Sequence, residues 1–188
     1  MSASTRSDGG VADLAQPYTA TARLFHWLIV ALLVAQVSIA LVLPALLPAT
    51  AAAALSAWHL SVGSTILFVM LLRLGWRLTH APPPPPVDLS PPLRLLSRAT
   101  HWAFYVILIV LPVLGWTAAS AYGATVRLFG LIPLPALVAS NERLGGRIGE
   151  VHGAVAMVLL ALITLHVAGA LYHTLVKRDG VIRRILPS

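Results

Sequence analysis

Histidines near the two ends of one long apolar segment are the residues most able to do chemistry in this chain. His152 and His166 lie within residues 150–174, EVHGAVAMVLLALITLHVAGALYHT, a segment long enough to cross a bilayer. An ionisable side chain in hydrocarbon is costly, so such histidines are by default functional. Their fourteen-residue spacing corresponds to roughly 21 Å along a helix and returns to within about 40° of the same face. This spacing predicts two stacked metal centres, one in each leaflet.

The composition indicates a membrane protein. Of the 188 residues, 58% are hydrophobic and 10% are charged, and no soluble class has such values. The formal charge of +7 does not indicate a nucleic-acid partner, because the basic residues lie at the ends of the apolar segments. Cysteine is absent, which excludes disulfides, iron–sulfur clusters and covalent haem attachment through a Cys-x-x-Cys-His motif. Histidine is therefore the main candidate ligand for a transition metal.

Four membrane spans are predicted, at residues 24–43, 57–78, 96–119 and 150–174. They follow a polar N-terminal tail, residues 1–20, that we expect to be disordered, and the transmembrane domain is residues 21–188. The longest connection, residues 120–149, contains apolar residues at 129–138 that we expect to lie on the membrane surface. The predicted fold class is an all-α membrane protein with a bundle of four transmembrane helices.

The orientation follows from the positions of the basic residues. Of the thirteen Lys and Arg residues, ten lie in the two terminal segments or around the connection between the second and third spans, and three lie in the other two connections. Because cytoplasmic loops carry the excess of basic residues, both termini are predicted to be cytoplasmic. The protein is expected to be a multi-pass membrane protein in contact with lipid.

This topology sorts the histidines by depth. His26 falls near the same surface as His166, and His59 falls near the opposite surface with His152. Each pair can clamp one centre, and two imidazoles saturate the axial positions of haem iron, which gives an electron carrier. Zinc fits less well, because no carboxylate or thiolate accompanies these residues at depth. The alternative is that each histidine only hydrogen-bonds to a carbonyl or another helix.

Three other residues are candidates near the cytoplasmic-side pair. His101 and Tyr105 are one helical turn apart on the third span. Arg73 follows His59 by fourteen residues and so lies on nearly the same face, at the level of the other centre. It either pairs with haem propionates or anchors the span as a positive-inside residue. His173 is expected to reach the interface.

Four segments resemble the helices of the bacterial cytochrome b561 family. They are FHWLIV, WHLSVGSTILFVMLLRLGWR, HWAFYVILIVLPVLGW and VHGAVAMVLLALITLHVAGALYH, and the resemblance covers residues 23–187. It implies two non-covalent haem b groups and a location in the bacterial inner membrane. The matching positions make His26 and His166 the ligands of the cytoplasmic-side haem and His59 and His152 those of the periplasmic-side haem.

The resemblance also bears on His101, which it implies to be a ligand of a quinone headgroup, with Tyr105 nearby. The alternative is that His101 bonds to a haem propionate or to a neighbouring helix. One feature of the family is missing, because Gly153 stands where a glutamate commonly follows the fourth-span histidine. The role that this glutamate has in the family is therefore not expected in this chain.

The preferred function is a di-haem membrane cytochrome that carries electrons to or from ubiquinone or another quinone. The resemblance adds superoxide as a periplasmic electron donor, which would make the protein a superoxide:quinone oxidoreductase. A second reading is a cytochrome b anchor subunit whose partner is a periplasmic redox protein, such as a hydrogenase or dehydrogenase. A third is a non-redox helix-packing or transport component. A nicotinamide enzyme is not indicated, because the glycines at 145–149 follow no strand and precede no acidic partner and so are not a dinucleotide fingerprint.

Overall fold

Four long helices form the protein in a computed structural model, which describes residues 17–42, 49–84 and 90–186. Each helix contains a window long and apolar enough to cross a membrane. The prediction of a four-helix membrane bundle is confirmed, whereas residues 1–16 of the predicted tail lie outside the described residues. The helices are α1 (Ala20–Val42), α2 (Ala49–Thr79), α3 (Pro91–Ala121) and α4 (Glu142–Tyr172).

The helices pack in chain order, α1 against α2, α2 against α3 and α3 against α4. Within the described ranges, α1 and α4 make at most a weak direct contact with each other. In both of these helices only 6% of the most apolar window is buried, against 28% in α2. The bundle is therefore loosely closed between the two outer helices, and both of them carry histidines.

A small apolar core lies midway along the bundle. Leu159 of α4 is one of its members, and it is seven residues from both His152 and His166. Membrane helices associate through close side-chain packing rather than through exclusion of water, so such a core fixes their relative positions. It also separates the two ends of the bundle. The buried core residues are Ile29, Ile66, Val69, Met70, Leu108 and Leu159.

The helices extend beyond the predicted spans. α4 begins at Glu142 rather than at residue 150, because Asn141 caps it by accepting a hydrogen bond from the backbone N–H of Leu144 at 3.0 Å. α2 begins at Ala49, since the alanine-rich stretch before the second span favours helix. Hydropathy thus located the lipid-crossing part, and capping and helix propensity decided where α4 and α2 begin.

The chain after α4 returns across the bundle to α1. It forms a π-helical turn, His173–Lys177, and a 3-10 turn, Val181–Arg184. We call residues 178–186 the C-terminal strap. The indole N–H of Trp27 in α1 donates to the carbonyl oxygen of Ile185 in the strap at 2.8 Å. The strap therefore ties α4 to α1 where these helices have little direct contact.

The connection between α3 and α4 contains a short β-hairpin, so the described residues are not entirely helical. Strand β1 (Arg127–Leu128) pairs antiparallel with β2 (Ile132–Pro133). The turn places Phe129 at φ 54° and Gly130 at φ 71°, the left-handed region that suits glycine. The hairpin packs against α2 rather than extending away from the bundle.

Candidate functional site

Two imidazoles meet near the start of α2, which we call the His59 end of the bundle. The rings of His59 and His152 have centroids 6.1 Å apart and planes inclined by 73°. The Nδ1 of His152 lies 3.1 Å from the carbonyl oxygen of Leu111. Because a carbonyl can only accept, this nitrogen carries the proton, and the Nε2 of His152 keeps its lone pair.

Gly115 of α3 creates the space that His152 occupies. A Cβ at this position would lie 3.0 Å from the Cε1 of the imidazole. The ring therefore packs directly against the α3 backbone, which brings its Nδ1 to the Leu111 carbonyl. This contact holds the ring in one orientation, as is usual for histidines that ligate metals.

Gln36 of α1 is a further polar residue at this end, and it is not among the site residues predicted from the sequence. Its Nε2 lies 3.1 Å from the Nε2 of His59. Since the amide nitrogen can only donate, the Nε2 of His59 accepts and its proton resides on Nδ1. The available signal was a glutamine within an apolar lipid-spanning segment, where a polar side chain is costly.

Two buried polar atoms at this end have no hydrogen-bond partner, the Oε1 of Gln36 and the Nδ1 of His59. Leaving a buried donor or acceptor unsatisfied costs about 1–3 kcal/mol. A cavity of about 260 Å³ adjoins them. Its walls are mostly apolar side chains from all four helices, such as Leu33, Leu60, Leu108 and Met157. The site is thus shaped for an additional group that is largely apolar.

A second imidazole pair lies at the opposite end, which we call the His26 end. The rings of His26 and His166 have centroids 6.5 Å apart and planes inclined by 59°. Phe104 packs edge-on against His166 at 5.3 Å, and the ring of His101 lies 5.6 Å from the same imidazole. The structure therefore brings together the two residues of each predicted pair and adds His101 to one of them.

His101 differs from the paired histidines in being exposed at the bundle surface. Its Nδ1 donates to the carbonyl oxygen of Ser97 at 2.7 Å, so its Nε2 is available to accept a hydrogen bond. The guanidinium of Arg73 lies over the ring of Tyr105, 5.6 Å from its centroid. Tyr105 therefore has a cationic neighbour that the sequence did not reveal.

The other two histidines lie apart from these pairs. The Nδ1 of His173 is 2.6 Å from the Oδ2 of Asp179, at the turn between α4 and the strap. His80 stacks on Trp76, with ring centroids 3.6 Å apart. Through these contacts, both residues interact with neighbours in their own part of the chain rather than with an imidazole pair.

The geometry of both pairs fits a haem group. A ligating imidazole nitrogen lies about 2.0–2.1 Å from its metal, so two imidazoles on opposite sides of one ion have centroids roughly 6 Å apart. The observed separations are 6.1 and 6.5 Å. Within the described ranges, no group of three or more His, Cys, Asp or Glu side chains could hold a metal ion. Two imidazoles can fill the two axial positions of a haem iron, whose equatorial ligands come from the porphyrin.

Comparisons with known proteins agree with this architecture. The chain is 30% identical over 128 residues, 68% of each chain, to cytochrome b561 homolog 2 of Escherichia coli strain K12. It is 31% identical over 129 residues to a Yersinia pestis protein named "Probable superoxide oxidase CybB", covering 69% of this chain and 73% of that one. Cytochrome b561 homolog 1 of Escherichia coli strain K12 is 25% identical over 131 residues, with the same coverage of 69% and 73%.

The family comparison covers almost the whole chain. The model of the family described as prokaryotic cytochrome b561 matches residues 17–188, which include all four helices and all seven histidines. With four candidate spans, the protein is a multi-pass protein of the bacterial inner membrane. The chain belongs to the prokaryotic cytochrome b561 family and is a membrane electron-transfer protein.

Proposed function

We propose that the protein binds two b haems, one between His26 and His166 and one between His59 and His152, and carries electrons across the membrane between them. The family implies haem b as the cofactor. The observation that carries the proposal is the presence of two imidazole pairs with centroids 6.1 and 6.5 Å apart, at opposite ends of one bundle. When bound, a bis-imidazole haem supplies one-electron transfer.

The residues of the chain hold and orient this chemistry. At the His59 end, the Leu111 carbonyl fixes the tautomer of His152, and Gly115 leaves space for its ring. At the His26 end, Phe104 packs against His166. The apolar core around Met70 and the lipid-facing helices keep water away from the space between the two ends.

We place the quinone site at the His26 end, on His101 and Tyr105. His101 is exposed beside the His166 ring, and its Nε2 can bond to a quinone headgroup. Arg73 at Tyr105 brings a positive charge to the same region, where it can bind a haem propionate or stabilise negative charge on the quinone. Reduction of a quinone to a quinol takes up two protons, and an exposed imidazole is a suitable group to deliver them.

The similarity to the Yersinia pestis protein supports superoxide as the electron donor at the His59 end. Two superoxide anions would be oxidised to two molecules of dioxygen, while one quinone and two protons become one quinol. The long connection and the start of α4 carry Arg127, Arg143 and Arg147, and also Glu142 and Glu150. This gives a net positive charge of one, a weak attraction for an anion. The distribution of Lys and Arg supports a periplasmic location for this end.

The test is a reduced-minus-oxidised absorption spectrum of the purified chain, with a pyridine haemochrome assay of haem per polypeptide. Two low-spin b haems are expected. His152→Ala and His166→Ala should each remove one haem, and the remaining haem should have a different spectrum in the two variants. A colourless protein from haem-replete cells would refute the proposal and favour a helix-packing or transport role for the histidines.

A separate experiment distinguishes an independent oxidoreductase from an anchor subunit. The chain should purify alone and reduce a water-soluble quinone with superoxide supplied by an enzymatic generator. Copurification with a large redox partner, together with no superoxide-dependent reduction by the isolated chain, would instead support the anchor role.

A further inference from the structure

The connection between α3 and α4 begins and ends well outside the His59 pair. α3 ends at Ala121, six residues beyond Gly115, which faces the His152 ring. Six helical residues correspond to roughly 9 Å. The backbone N–H of Asn141, which caps α4, donates to the carbonyl of Ala121 at 2.9 Å. Both ends of the connection therefore lie at the same level, farther from the bundle centre than the histidines.

The hairpin in the middle of this connection lies closer to the bundle centre than its ends. The hydroxyl of Ser64 in α2 donates to the carbonyl of Arg127 at 3.1 Å. A Cβ on Gly130 would lie 3.6 Å from the Oγ of Ser61. Ser61 and Ser64 follow Trp58 by three and six residues, or roughly 4.5 and 9 Å along the helix toward the bundle centre. The connection between α3 and α4 thus runs toward the bundle centre and then returns to the same end of the bundle.

Trp58 marks the level of the interface on α2. It is 62% exposed, and an exposed tryptophan at the end of a span typically lies at headgroup depth. The Phe129 ring at the hairpin turn contacts Phe68 edge-on, with centroids 5.7 Å apart. Phe68 is ten residues past Trp58. The hairpin turn therefore continues the lipid-facing surface of α2 below the interface.

The exposed side chains of the turn are apolar. Leu131 is 77% exposed, Ile132 is 54% exposed and Phe129 is 49% exposed. In water this cluster would be unfavourable, whereas burying such side chains in hydrocarbon stabilises them by about 1.5–3 kcal/mol each. Arg127 is the single charged residue of the segment 126–134. Its Nη1 donates to the carbonyl oxygen of Leu131 at 3.5 Å, which satisfies part of the backbone of the turn. The long side chain also allows the guanidinium to extend to the lipid phosphates when the turn lies deeper.

The backbone of the hairpin is also suited to lipid, where unpaired polar groups are costly. The N–H of Leu134 donates to the carbonyl of Val126 at 2.9 Å, and that of Leu131 donates to Leu128 at 3.0 Å. The carbonyl of Arg127 accepts from Ser64. Irregular backbone at membrane depth is tolerated where it is buried in protein, and the base of this hairpin meets that condition because Val126 is 2% exposed.

We propose that the hairpin of residues 126–134 is a re-entrant element that inserts Phe129, Leu131 and Ile132 among the lipid acyl chains of the leaflet at the His59 end. Its base contributes Val126, which is 2% exposed, to the wall of the cavity beside the His59 pair. The hairpin therefore seals this cavity with lipid behind it. This inference depends on the membrane-spanning helices and not on haem binding.

The absence of native cysteine permits a direct test with single spin labels. Leu131→Cys is labelled with a nitroxide in the full chain, reconstituted in phosphatidylcholine vesicles. Leu71→Cys on the lipid-facing surface of α2 is the buried-in-lipid reference, and Ala139→Cys, exposed near the cap of α4, is the aqueous reference. All three positions are exposed, so labelling leaves the packed core intact.

Power saturation then measures collisions with dioxygen, which partitions into lipid, and with a neutral nickel chelate, which stays in water. The label at Leu131 should resemble that at Leu71, with dioxygen more effective than nickel, and the ratio should reverse at Ala139. A nickel accessibility at Leu131 equal to that at Ala139 would overturn the proposal. A Leu131→Asp variant should, in addition, raise nickel accessibility at a label on Ile132, because a carboxylate draws the turn toward water.

Discussion

The imidazole of His152 occupies the space that a side chain on Gly115 would fill, with only 3.0 Å between its Cε1 and the position of an added Cβ. This contact joins α4 to α3 at the height of one candidate haem. The ring can reach the Leu111 carbonyl only because α3 has no side chain at this position. Gly115 therefore helps to determine the position of the His152 ring at this end of the bundle.

Gly115→Ala should release the haem at the His59 end while leaving the other in place. The added methyl group displaces the His152 ring, which loses its bond to Leu111 and its orientation. Haem per chain, measured by pyridine haemochrome, should fall from two toward one. Gly149→Ala is the control, because a Cβ there meets no atom within 4 Å. Alanine stabilises a helix interior by roughly 0.5–1 kcal/mol relative to glycine. A loss of haem in Gly115→Ala would therefore not result from a weakened helix.

Gln36→Leu should strengthen haem binding at the His59 end. The Gln36 amide donates to the Nε2 of His59, the nitrogen that a haem iron requires, so the amide competes with the metal. A hydrogen bond makes a net contribution of about 0.5–1.5 kcal/mol. Because haem no longer has to displace this bond in the variant, its affinity for the His59 end should rise by up to about tenfold. Haem titration of the apoprotein measures it, and the His26 end serves as the internal control. Weaker binding would show that Gln36 instead contacts the bound cofactor.

Arg73→Met should lower the reduction potential of the haem at the His26 end. A nearby positive charge stabilises the reduced form of the haem. If this stabilisation is about 0.5–1.5 kcal/mol, loss of the charge lowers the one-electron potential by roughly 20–60 mV. Spectroelectrochemical titration resolves the two haems. Arg77→Met, one turn farther along α2, should have a smaller effect. Equal shifts in both variants would indicate that only the overall charge of this surface matters.

Arg184→Met should weaken the link between the C-terminal strap and the rest of the bundle. Arg184 is only 5% exposed, and its guanidinium donates to the carbonyl of Pro84 at 2.8 Å and lies over the Tyr18 ring. Removing a charged hydrogen-bond donor costs about 1.5–3 kcal/mol. The midpoint of thermal unfolding should fall in Arg184→Met and stay nearly unchanged in Arg183→Met, the exposed neighbour. Equal midpoints in the two variants would mean that the contacts of Arg184 do not contribute to the stability of the bundle.

Acid should loosen the turn that leads into the strap. Partial burial acts to raise the pKa of Asp179, but hydrogen bonds from His173 and the Val181 amide outweigh it, so the pKa lies below its usual value. Because the pKa is lower in the folded state, ionised Asp179 stabilises the turn. This stabilisation is fully present above about pH 4 and is lost as the pH falls through the folded pKa. Protease cleavage after Lys177 or Arg178 by an acid-tolerant enzyme should increase in that range. In Asp179→Asn it should be raised at all pH values, with no added dependence on acid.

The sequence determined the number of spans and the levels of the histidines. Both depend on local properties, because hydropathy marks lipid-crossing segments and a fourteen-residue spacing fixes depth and face on one helix. The depths of the histidines predicted two pairs, and the structure brings together the members of each: His26 with His166 and His59 with His152. Their role as haem ligands stays a prediction.

Only the tertiary structure decided which other residues complete each end. Gln36 meets His59, Gly115 faces His152, Arg73 lies over Tyr105 and Trp27 bonds to the strap. These partners are separated by between 23 and 158 residues, and each contact depends on how the helices rotate and cross. Periodicity identifies the inward face of a helix, but the rotation and crossing that bring two faces into contact arise from side-chain packing across the whole bundle.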